Sequence, residues 1–129
     1  MPPSRDALTL SSDPAFAGDA QLANPEQLLL AAASSCQLLS FLAIAAHSRI
    51  DVLAYDDEAD AIMPKGTKPM RITEVTLRPR ILVAPDSDPD RVRRLVERAH
   101  AGCFIANTLN ARIILEPEIE LASDGAGGT

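Results

Sequence analysis

The sequence is poor in aromatic residues and in positive charge. Its 129 residues include no tryptophan, one tyrosine and three phenylalanines, so platforms on which bases or sugars could stack are not expected. Twelve Lys and Arg residues stand against 18 Asp and Glu residues, and the formal net charge is -6. Because phosphate binding needs a surplus of positive charge on one face, the composition argues against nucleic acid as a partner.

Cysteine is scarce too, and no targeting signal is visible. Met1–Leu10 has no basic segment followed by a long apolar run, so it does not resemble a signal peptide, and we expect a cytoplasmic protein. The two cysteines, Cys36 and Cys103, are 67 positions apart, unlike the closely spaced cysteines of redox motifs or zinc knuckles. In a reducing cytosol they are not expected to form a structural disulfide, which leaves metal binding, catalysis or core packing.

Apolar side chains are plentiful, at 47% of the residues. A disordered chain would lack the apolar surface that offsets the entropy of ordering, and a chain of this length builds one core. We therefore expect a single domain over residues 1–129, with a flexible tail at Ser123–Thr129. Near the other end, a short alternation at Ala7–Leu10 predicts one strand, and a loop follows as far as Asp19.

A long helix is the clearest feature of the sequence. Asn24 is a typical capping residue, Pro25 suits the first helical position, and Glu26 places an acid in the first turn. The helix is expected to run to about His47, because Leu28–Ala46 contains no charge, glycine or proline. This stretch is long enough to cross a bilayer, but its polar centre and the absence of an aromatic belt or flanking basic cluster favour a fully buried helix over membrane insertion.

The segments after this helix predict strands. Ile50–Met63 is interpreted as a strand, Pro64–Pro69 as a turn, and Ile72–Val83 as one long strand with an edge or bulge at Pro79. Four apolar side chains of the long strand share one face: Val75, Leu77, Ile81 and Val83. Ile113–Leu121 alternates in the same way and predicts the last strand.

A second helix is predicted from Asp88–Pro89, which repeats the signal of a capping residue followed by proline. Its apolar positions recur at helical spacing and form one buried stripe: Val92, Leu95, Val96, Ala99 and Cys103. Gly102 is expected to kink or interrupt the helix, and Asn110 to end it.

This order of elements predicts an α+β fold with an antiparallel sheet and a long, central, buried helix. A sheet of three or four strands covers only one side of such a helix. The apolar surface left over exceeds what a soluble monomer exposes, so we expect a homodimer with these helices at its centre. Ala31, Ala32 and Ala33 are small enough to let two helix backbones approach closely.

The surroundings of the two cysteines resemble a known family. The run Asn24–Leu29 leads to Cys36, strands with acidic edges follow, and Ala99-His100 leads to Cys103 and Asn107. Over about residues 11–121 this pattern resembles the OsmC/Ohr family of osmotically inducible and organic hydroperoxide resistance proteins. The resemblance implies an OsmC-like domain in an intertwined homodimer, with an N-terminal strand region shorter than in other members.

The resemblance also implies a thiol-dependent peroxidase that reduces organic hydroperoxides or hydrogen peroxide in oxidative stress defence. Cys36 is the implied peroxidatic thiol, which forms a sulfenic acid, and Cys103 is the implied resolving thiol, which condenses with it to a disulfide. An external dithiol reduces the disulfide, and in the Ohr branch this reductant is a lipoyl group. No cofactor and no metal are expected, and the spacing gives no support to a zinc site made of both cysteines and a histidine.

The implied chemistry needs a cation near Cys36. A cysteine in the middle of an apolar helix has a raised pKa, and Cys36 lies too far from the helix N-terminus to gain from its dipole. By resemblance the cation is an arginine held by Glu26, and Arg5 stands nearest to the expected place. Three other arginines are substitutes: Arg49, Arg78 and Arg80.

Glu26 and Cys36 cannot serve one site within a single chain, because they would lie about 15 Å apart along a straight helix. If two copies cross antiparallel near Ala31, Glu26 of one chain lies level with Cys36 of the other. We therefore expect two composite sites at the dimer interface.

The two histidines have lesser expected roles. His100, one helical turn before Cys103, is expected to hydrogen-bond in the core or to tune that thiol. His47 ends the long helix, where a partly positive imidazole suits the dipole.

A different class of function stays open beside the enzyme. The alternative is a non-catalytic OsmC-like stress protein that holds an apolar small molecule in the dimer cleft. Peroxide separates the two hypotheses, because only the enzyme consumes its thiols.

Overall fold

The computed structural model describes residues 6–123, and its central element is a long helix, α1 (Pro25–His47). A capping box closes its N-terminus: Asn24 Oδ1 accepts from the Gln27 backbone N–H at 2.9 Å, and Gln27 Oε1 accepts from the Asn24 N–H at 3.0 Å. Pro25 occupies the first turn, where its missing N–H is not needed. The predicted bounds of this helix are confirmed.

Six short strands in the described part of the chain come in three consecutive pairs: β1 (Val52–Asp57) and β2 (Asp60–Ile62), β3 (Glu74–Leu77) and β4 (Pro79–Val83), β5 (Arg112–Leu115) and β6 (Glu118–Leu121). Each pair falls in a segment that was expected to form one strand, so those three expectations are wrong. The members of each pair separate into different sheets, with the orders β1-β4-β6 and β2-β3-β5.

Each sheet contains one antiparallel and one parallel pairing. β4 is antiparallel to β1 and parallel to β6, while β3 is antiparallel to β2 and parallel to β5. The parallel pairings arise because a helical crossover lies between the β3–β4 and β5–β6 segments. The predicted α+β class is confirmed, but the sheets are mixed rather than antiparallel.

Arg78 ties together the three points at which the strand pairs break. Its backbone N–H donates to Asp57 Oδ1 at 2.7 Å, and its guanidinium lies 2.8 Å from Asp60 and 4.0 Å from Glu116. These partners lie at the end of β1, the start of β2 and the β5–β6 connection. Pro79 begins β4, a position that proline tolerates, but β4 is the central strand of its sheet, so the predicted edge position is wrong.

The predicted inner face of the β3–β4 segment is confirmed across the break, since all four of its apolar side chains are buried: Val75, Leu77, Ile81 and Val83. Thr76 alternates with these side chains and so lies on the opposite face of β3, but it is also buried.

The second helix, α2 (Pro89–Ala101), begins after Asp88 and buries its predicted stripe. It ends at Gly102, and a short helix, α3 (Phe104–Thr108), follows. The predicted interruption at Gly102 is therefore confirmed. Cys103 is buried as expected, but it lies between the two helices as the capping residue of α3, which corrects the prediction that it is part of the second helix.

The core has two clusters, and α1 contributes to both. Phe41 and Ala45 pack with β4 and α2, whereas Ala33 packs with Val75 and Leu77 of β3. The long helix therefore lies against both sheets and fixes its own middle, where Cys36 stands, close to the α2–α3 junction.

Only one stripe of α1 is buried within the chain: Ala33, Gln37, Phe41 and Ala45. On the opposite side, Leu39 is 65% exposed and Leu42 is 37% exposed. Within a single chain α1 is therefore only partly buried, and by length and composition it would suffice to cross a membrane. The small sheets leave a broad apolar face uncovered, as their size led us to expect.

The N-terminal region differs from its prediction. Ala7–Leu10 forms no strand, and Leu10 makes a single parallel bridge to Ala23, next to a 3₁₀ turn at Pro14–Phe16. Arg5 and residues 124–129, most of the predicted tail, lie outside the described residues.

Candidate active site

The fold brings the two cysteine side chains into hydrogen-bond contact. Cys36 comes from the middle of α1 and Cys103 from the α2–α3 junction, and neither is in a disulfide. The contact exists because the buried stripes of α1 and α2 face each other and because α2 stops at Gly102. A pair of thiols in this arrangement can be oxidised to a disulfide, provided that one of them first meets an oxidant.

Solvent reaches the two thiols unequally. Cys103 is only 1% exposed, whereas Cys36 is half-buried and lines an open groove of about 530 Å³. The groove is walled mainly by apolar side chains: Ala32, Leu39, Ala43, Phe104 and Ile105. Two serines, Ser35 and Ser40, add hydroxyl groups, and none of the described residues that line the groove is charged. A small apolar solute can therefore reach Cys36 but not Cys103.

The surroundings of Cys36 favour its thiolate. Burial raises the pKa of Cys36, but hydrogen bonds from the Cys103 thiol, from the backbone N–H groups of Ile105 and Phe104, and from the Ser40 hydroxyl outweigh burial and lower the pKa overall. The expectation that the pKa of Cys36 would be raised is therefore wrong in direction. The donors come from the start of α3, which reasoning about α1 alone did not consider.

Cys103 shows the opposite shift. Burial and the hydrogen bond with Cys36 raise the pKa of Cys103, which therefore keeps its proton more firmly than an ordinary cysteine. The pair accordingly has a defined polarity, because the accessible sulfur of Cys36 is the better nucleophile and the buried thiol of Cys103 is its hydrogen-bond donor.

Glu26 does not join the cysteines within one chain. It lines a separate cavity of about 370 Å³ at the N-terminal end of α1, together with Leu29, Met70 and Arg71. The distance argument from the sequence had already excluded a single-chain site for Glu26 and Cys36. Of the predicted site residues that the structure describes, the two cysteines meet and Glu26 stands apart.

Arg5 lies outside the described residues, and the three substitute arginines do not reach Cys36. Arg78 pairs with Asp60, and Arg80 lies 3.4 Å from Glu118, so both guanidiniums are engaged at the sheets. Arg49 lines a polar pocket beyond the C-terminal end of α1.

Arg71, which the sequence analysis did not single out, is the arginine that shares a cavity with Glu26. Its position follows a turn and precedes β3, so no local pattern marks it. Only the packing of β3 beside the start of α1 brings it there.

The histidines lie outside this chemistry. His47 is exposed at the C-terminal end of α1. His100 Nδ1 is buried and has no hydrogen-bond partner among the described residues, which corrects the expectation of a core hydrogen bond at that atom. Among residues 6–123, no group of three or more His, Cys, Asp or Glu side chains is arranged to hold a metal ion.

Several proteins with similar sequences and structures are named OsmC or OsmC-like. The family model described as OsmC-like protein matches residues 18–118. Peroxiredoxin OsmC of Escherichia coli is 26% identical over 97 residues, which make up 75% of this chain and 67% of that protein.

Two solved structures extend the comparison. An OsmC-like protein of unknown function from Vibrio cholerae superposes with a TM-score of 0.78 at 33% identity, over 84% of this chain and 75% of that one. An organic hydroperoxide resistance protein OsmC from Legionella pneumophila superposes with a TM-score of 0.67 at 19% identity, over 88% of this chain and 80% of that one.

Proposed function

Since this chain belongs to the OsmC-like protein family, we propose that it is a thiol-dependent peroxidase that reduces hydroperoxides through Cys36 and Cys103. The family includes proteins named as a peroxiredoxin and as an organic hydroperoxide resistance protein. The observation that carries the proposal is the polarised thiol pair, in which the sulfur of lowered pKa faces the groove and its partner is buried.

The proposed cycle has three balanced steps. The Cys36 thiolate attacks the outer oxygen of the hydroperoxide, the O–O bond breaks, and the alkoxide takes a proton and leaves as an alcohol. The Cys103 thiol then attacks the Cys36 sulfenic acid, which releases water and forms a disulfide. An external dithiol reduces that disulfide and becomes a disulfide itself.

The lining of the groove supports organic hydroperoxides as preferred substrates. Leu39, Ala43, Phe104 and Ile105 offer apolar contact to a hydrocarbon tail, whereas hydrogen peroxide gains nothing from such walls. The reductant must reach Cys36, since Cys103 is buried. We propose a cytoplasmic location, where dithiol reductants hold protein thiols reduced, with a lipoyl group as one candidate.

We further propose that the working enzyme is a homodimer with composite sites. The apolar face of α1 that contains Leu39 and Leu42 is uncovered in one chain and is long enough to pack against a second α1. In that arrangement, Glu26 and Arg71 of one chain would serve Cys36 of the other. We propose Arg71 for the role first given to Arg5, because Arg71 lines the same cavity as Glu26.

Counting free thiols after treatment with cumene hydroperoxide tests the peroxidase proposal. The wild-type protein is expected to lose both thiols per chain as the disulfide forms, and Cys36→Ser to keep Cys103 intact. The matched variant Cys103→Ser is expected to lose the Cys36 thiol to a sulfenic acid that dimedone traps.

A different result favours the other class of function. If both thiols survive a large excess of cumene hydroperoxide in the folded wild-type protein, the peroxidase proposal is wrong. The apolar groove beside Cys36 would then be better explained as a binding site of a non-catalytic stress protein.

A further inference from the structure

Asn107 has an unusual set of hydrogen bonds at the α2–α3 junction. Its side-chain Nδ2 donates to the Ala101 carbonyl at 3.0 Å and to the Cys103 carbonyl at 2.9 Å. Ala101 is the last residue of α2, and Cys103 caps α3. One amide group therefore connects the end of one helix to the start of the next.

This bridge supplies a hydrogen-bond partner to a carbonyl at the end of α2. The last carbonyls of a helix lack partners within the helix, and a glycine in the left-handed region commonly supplies one. Gly102 does not do so here, because its φ is -98°. The Asn107 amide satisfies the Ala101 carbonyl instead, and so it fixes the angle at which the chain leaves α2.

The angle of the junction decides what meets the Cys36 sulfur. The Cys103 thiol and the backbone N–H groups of Phe104 and Ile105 all contact Cys36, and all three belong to the segment that Asn107 holds. None of the described residues lining the groove carries a charge, and the Ser35 hydroxyl is engaged with carbonyls of α1, so these donors and the Ser40 hydroxyl are the groups that hydrogen-bond the sulfur.

We propose that Asn107 is a positioning residue, whose bridge from Ala101 to Cys103 holds the resolving thiol and the first N–H groups of α3 against the Cys36 sulfur. This inference rests on the proposed function of the two cysteines. The side-chain hydrogen bonds of Asn107 go to backbone carbonyls and not to either sulfur, but they determine how the two sulfurs are placed relative to each other. Without the bridge, the backbone bonds from Gly102 to Arg98 and from Cys103 to His100 still restrain the end of α2, but α3 is held less firmly against it.

The neighbouring residue provides a matched control. Thr108 Oγ1 donates to the Phe104 carbonyl at 2.7 Å, so it also makes a side-chain bond to a backbone carbonyl of α3. Thr108 is exposed, like Asn107, but its bond stays inside α3 and does not reach α2. Thr108→Ala therefore weakens α3 without releasing the junction.

The test is the rate at which iodoacetamide alkylates Cys36, followed by peptide mass spectrometry from pH 5 to pH 10. Asn107→Ala is expected to move the alkylation profile of Cys36 to higher pH and to slow the reaction at pH 7 by about ten-fold. The reason is that hydrogen-bond donors no longer held against the sulfur stabilise the thiolate less. Disulfide formation after a peroxide pulse is expected to slow as well. Thr108→Ala is expected to leave both rates within about two-fold of wild type.

Two results would overturn the inference: an unchanged alkylation profile in folded Asn107→Ala, or an equal shift in Thr108→Ala. If Asn107→Ala does not fold, Asn107→Ser takes its place. It keeps one donor and is expected to show a smaller shift in the same direction, and an unchanged profile there counts equally against the inference. The alkylation assay contains no peroxide, so failure of the peroxidase proposal and failure of this one are distinguishable.

Discussion

Cys36 and Cys103 differ in the atoms that surround each sulfur. Donors converge on Cys36, which stands at the edge of a groove, while burial dominates at Cys103. Two cysteines that are hydrogen-bonded to each other therefore have pKa shifts in opposite directions, lowered for Cys36 and raised for Cys103. The chemistry proposed for the pair starts from this difference, and in the proposed dimer Glu26 and Arg71 of the second chain complete the site.

Tyr55 is another residue whose surroundings disfavour a charge. Its hydroxyl is buried and has no hydrogen-bond partner within residues 6–123, and its ring centre lies 6.0 Å from that of Phe41. Burial and the nearby charge of Asp57 raise the pKa of the Tyr55 phenol well above its usual range. The hydroxyl therefore contributes a desolvation cost with no bond to offset it.

Tyr55→Phe is expected to leave the free energy of unfolding at pH 7 unchanged or to raise it by up to about 1 kcal/mol, because the unpaired hydroxyl is removed. The wild type is expected to lose stability above about pH 10, where the unfolded chain ionises its tyrosine and the folded chain resists. The variant lacks this loss. Urea unfolding of both proteins at pH 7 and above pH 10 measures the difference.

The chain has one tyrosine, so ultraviolet titration of its phenolate provides an independent check. The native protein is expected to ionise only as it unfolds. A phenolate that appears near pH 10 in the folded state, or a loss of stability in Tyr55→Phe, would contradict the account of a buried, unpartnered hydroxyl.

Among the elements, the helices were predictable from local signals and the strand pairs were not. Asn24 and Asp88 cap helices through bonds to residues two or three positions further on, and Pro25 suits a first turn, so these signals can be recognised in the local sequence. The division of a long alternating segment between two sheets depends on partners far away in the chain. Arg78 shows this, since the residues that bind it at the break come from the two other strand segments.

The candidate site, too, was predictable only where local signals determine it. The helical settings of Cys36 and Cys103 were visible, and the family resemblance suggested that the two meet. Neither the donors from Phe104 and Ile105 nor the nearness of Arg71 to Glu26 has a sequence signature, because both depend on how separate elements pack.

The start of α1 gives a prediction about an element. Asn24 is 4% exposed and its side chain accepts the Gln27 N–H, so Asn24→Ala leaves a donor unsatisfied in a partly buried place. We expect this variant to lose about 1 kcal/mol of stability in urea unfolding. The control Asn24→Asp keeps the acceptor and adds a charge that suits the helix N-terminus, so it should match the wild type. Equal midpoints for Asn24→Ala and wild type would show that the cap contributes nothing.

At the scale of the whole molecule, the uncovered face of α1 is the feature that most needs an explanation. Leu39 is 65% exposed and Phe104 is 83% exposed, and both line the groove beside Cys36. A second copy packed on this face would bury the apolar surface and would close the groove around the reacting sulfur. Dimerisation and catalysis are therefore linked in our proposal through the same side chains.

Complementation between two inactive variants tests that link. Cys36→Ser lacks the nucleophile and Glu26→Gln lacks the carboxylate, but a mixed dimer contains one complete site, made of Cys36 from one chain and Glu26 from the other. Co-refolding equal amounts makes half of the dimers mixed, so we expect about a quarter of the wild-type peroxidase activity to return. Arg71→Gln should complement Cys36→Ser in the same way.

Leu39→Glu, placed in both chains, is the control for pairing. A charge at this exposed position leaves the single chain folded but is incompatible with an apolar helix interface, so the protein should elute as a 13.7 kDa monomer and complementation should disappear. If the mixture of Cys36→Ser and Glu26→Gln stays inactive although mixed dimers are present, Glu26 does not act across the interface. If Leu39→Glu has the same elution volume as the wild type, the α1 face is covered by something other than a second copy. A protein that then needs detergent to appear in the soluble fraction has this face in a membrane, whereas a protein that needs no detergent has it against another protein.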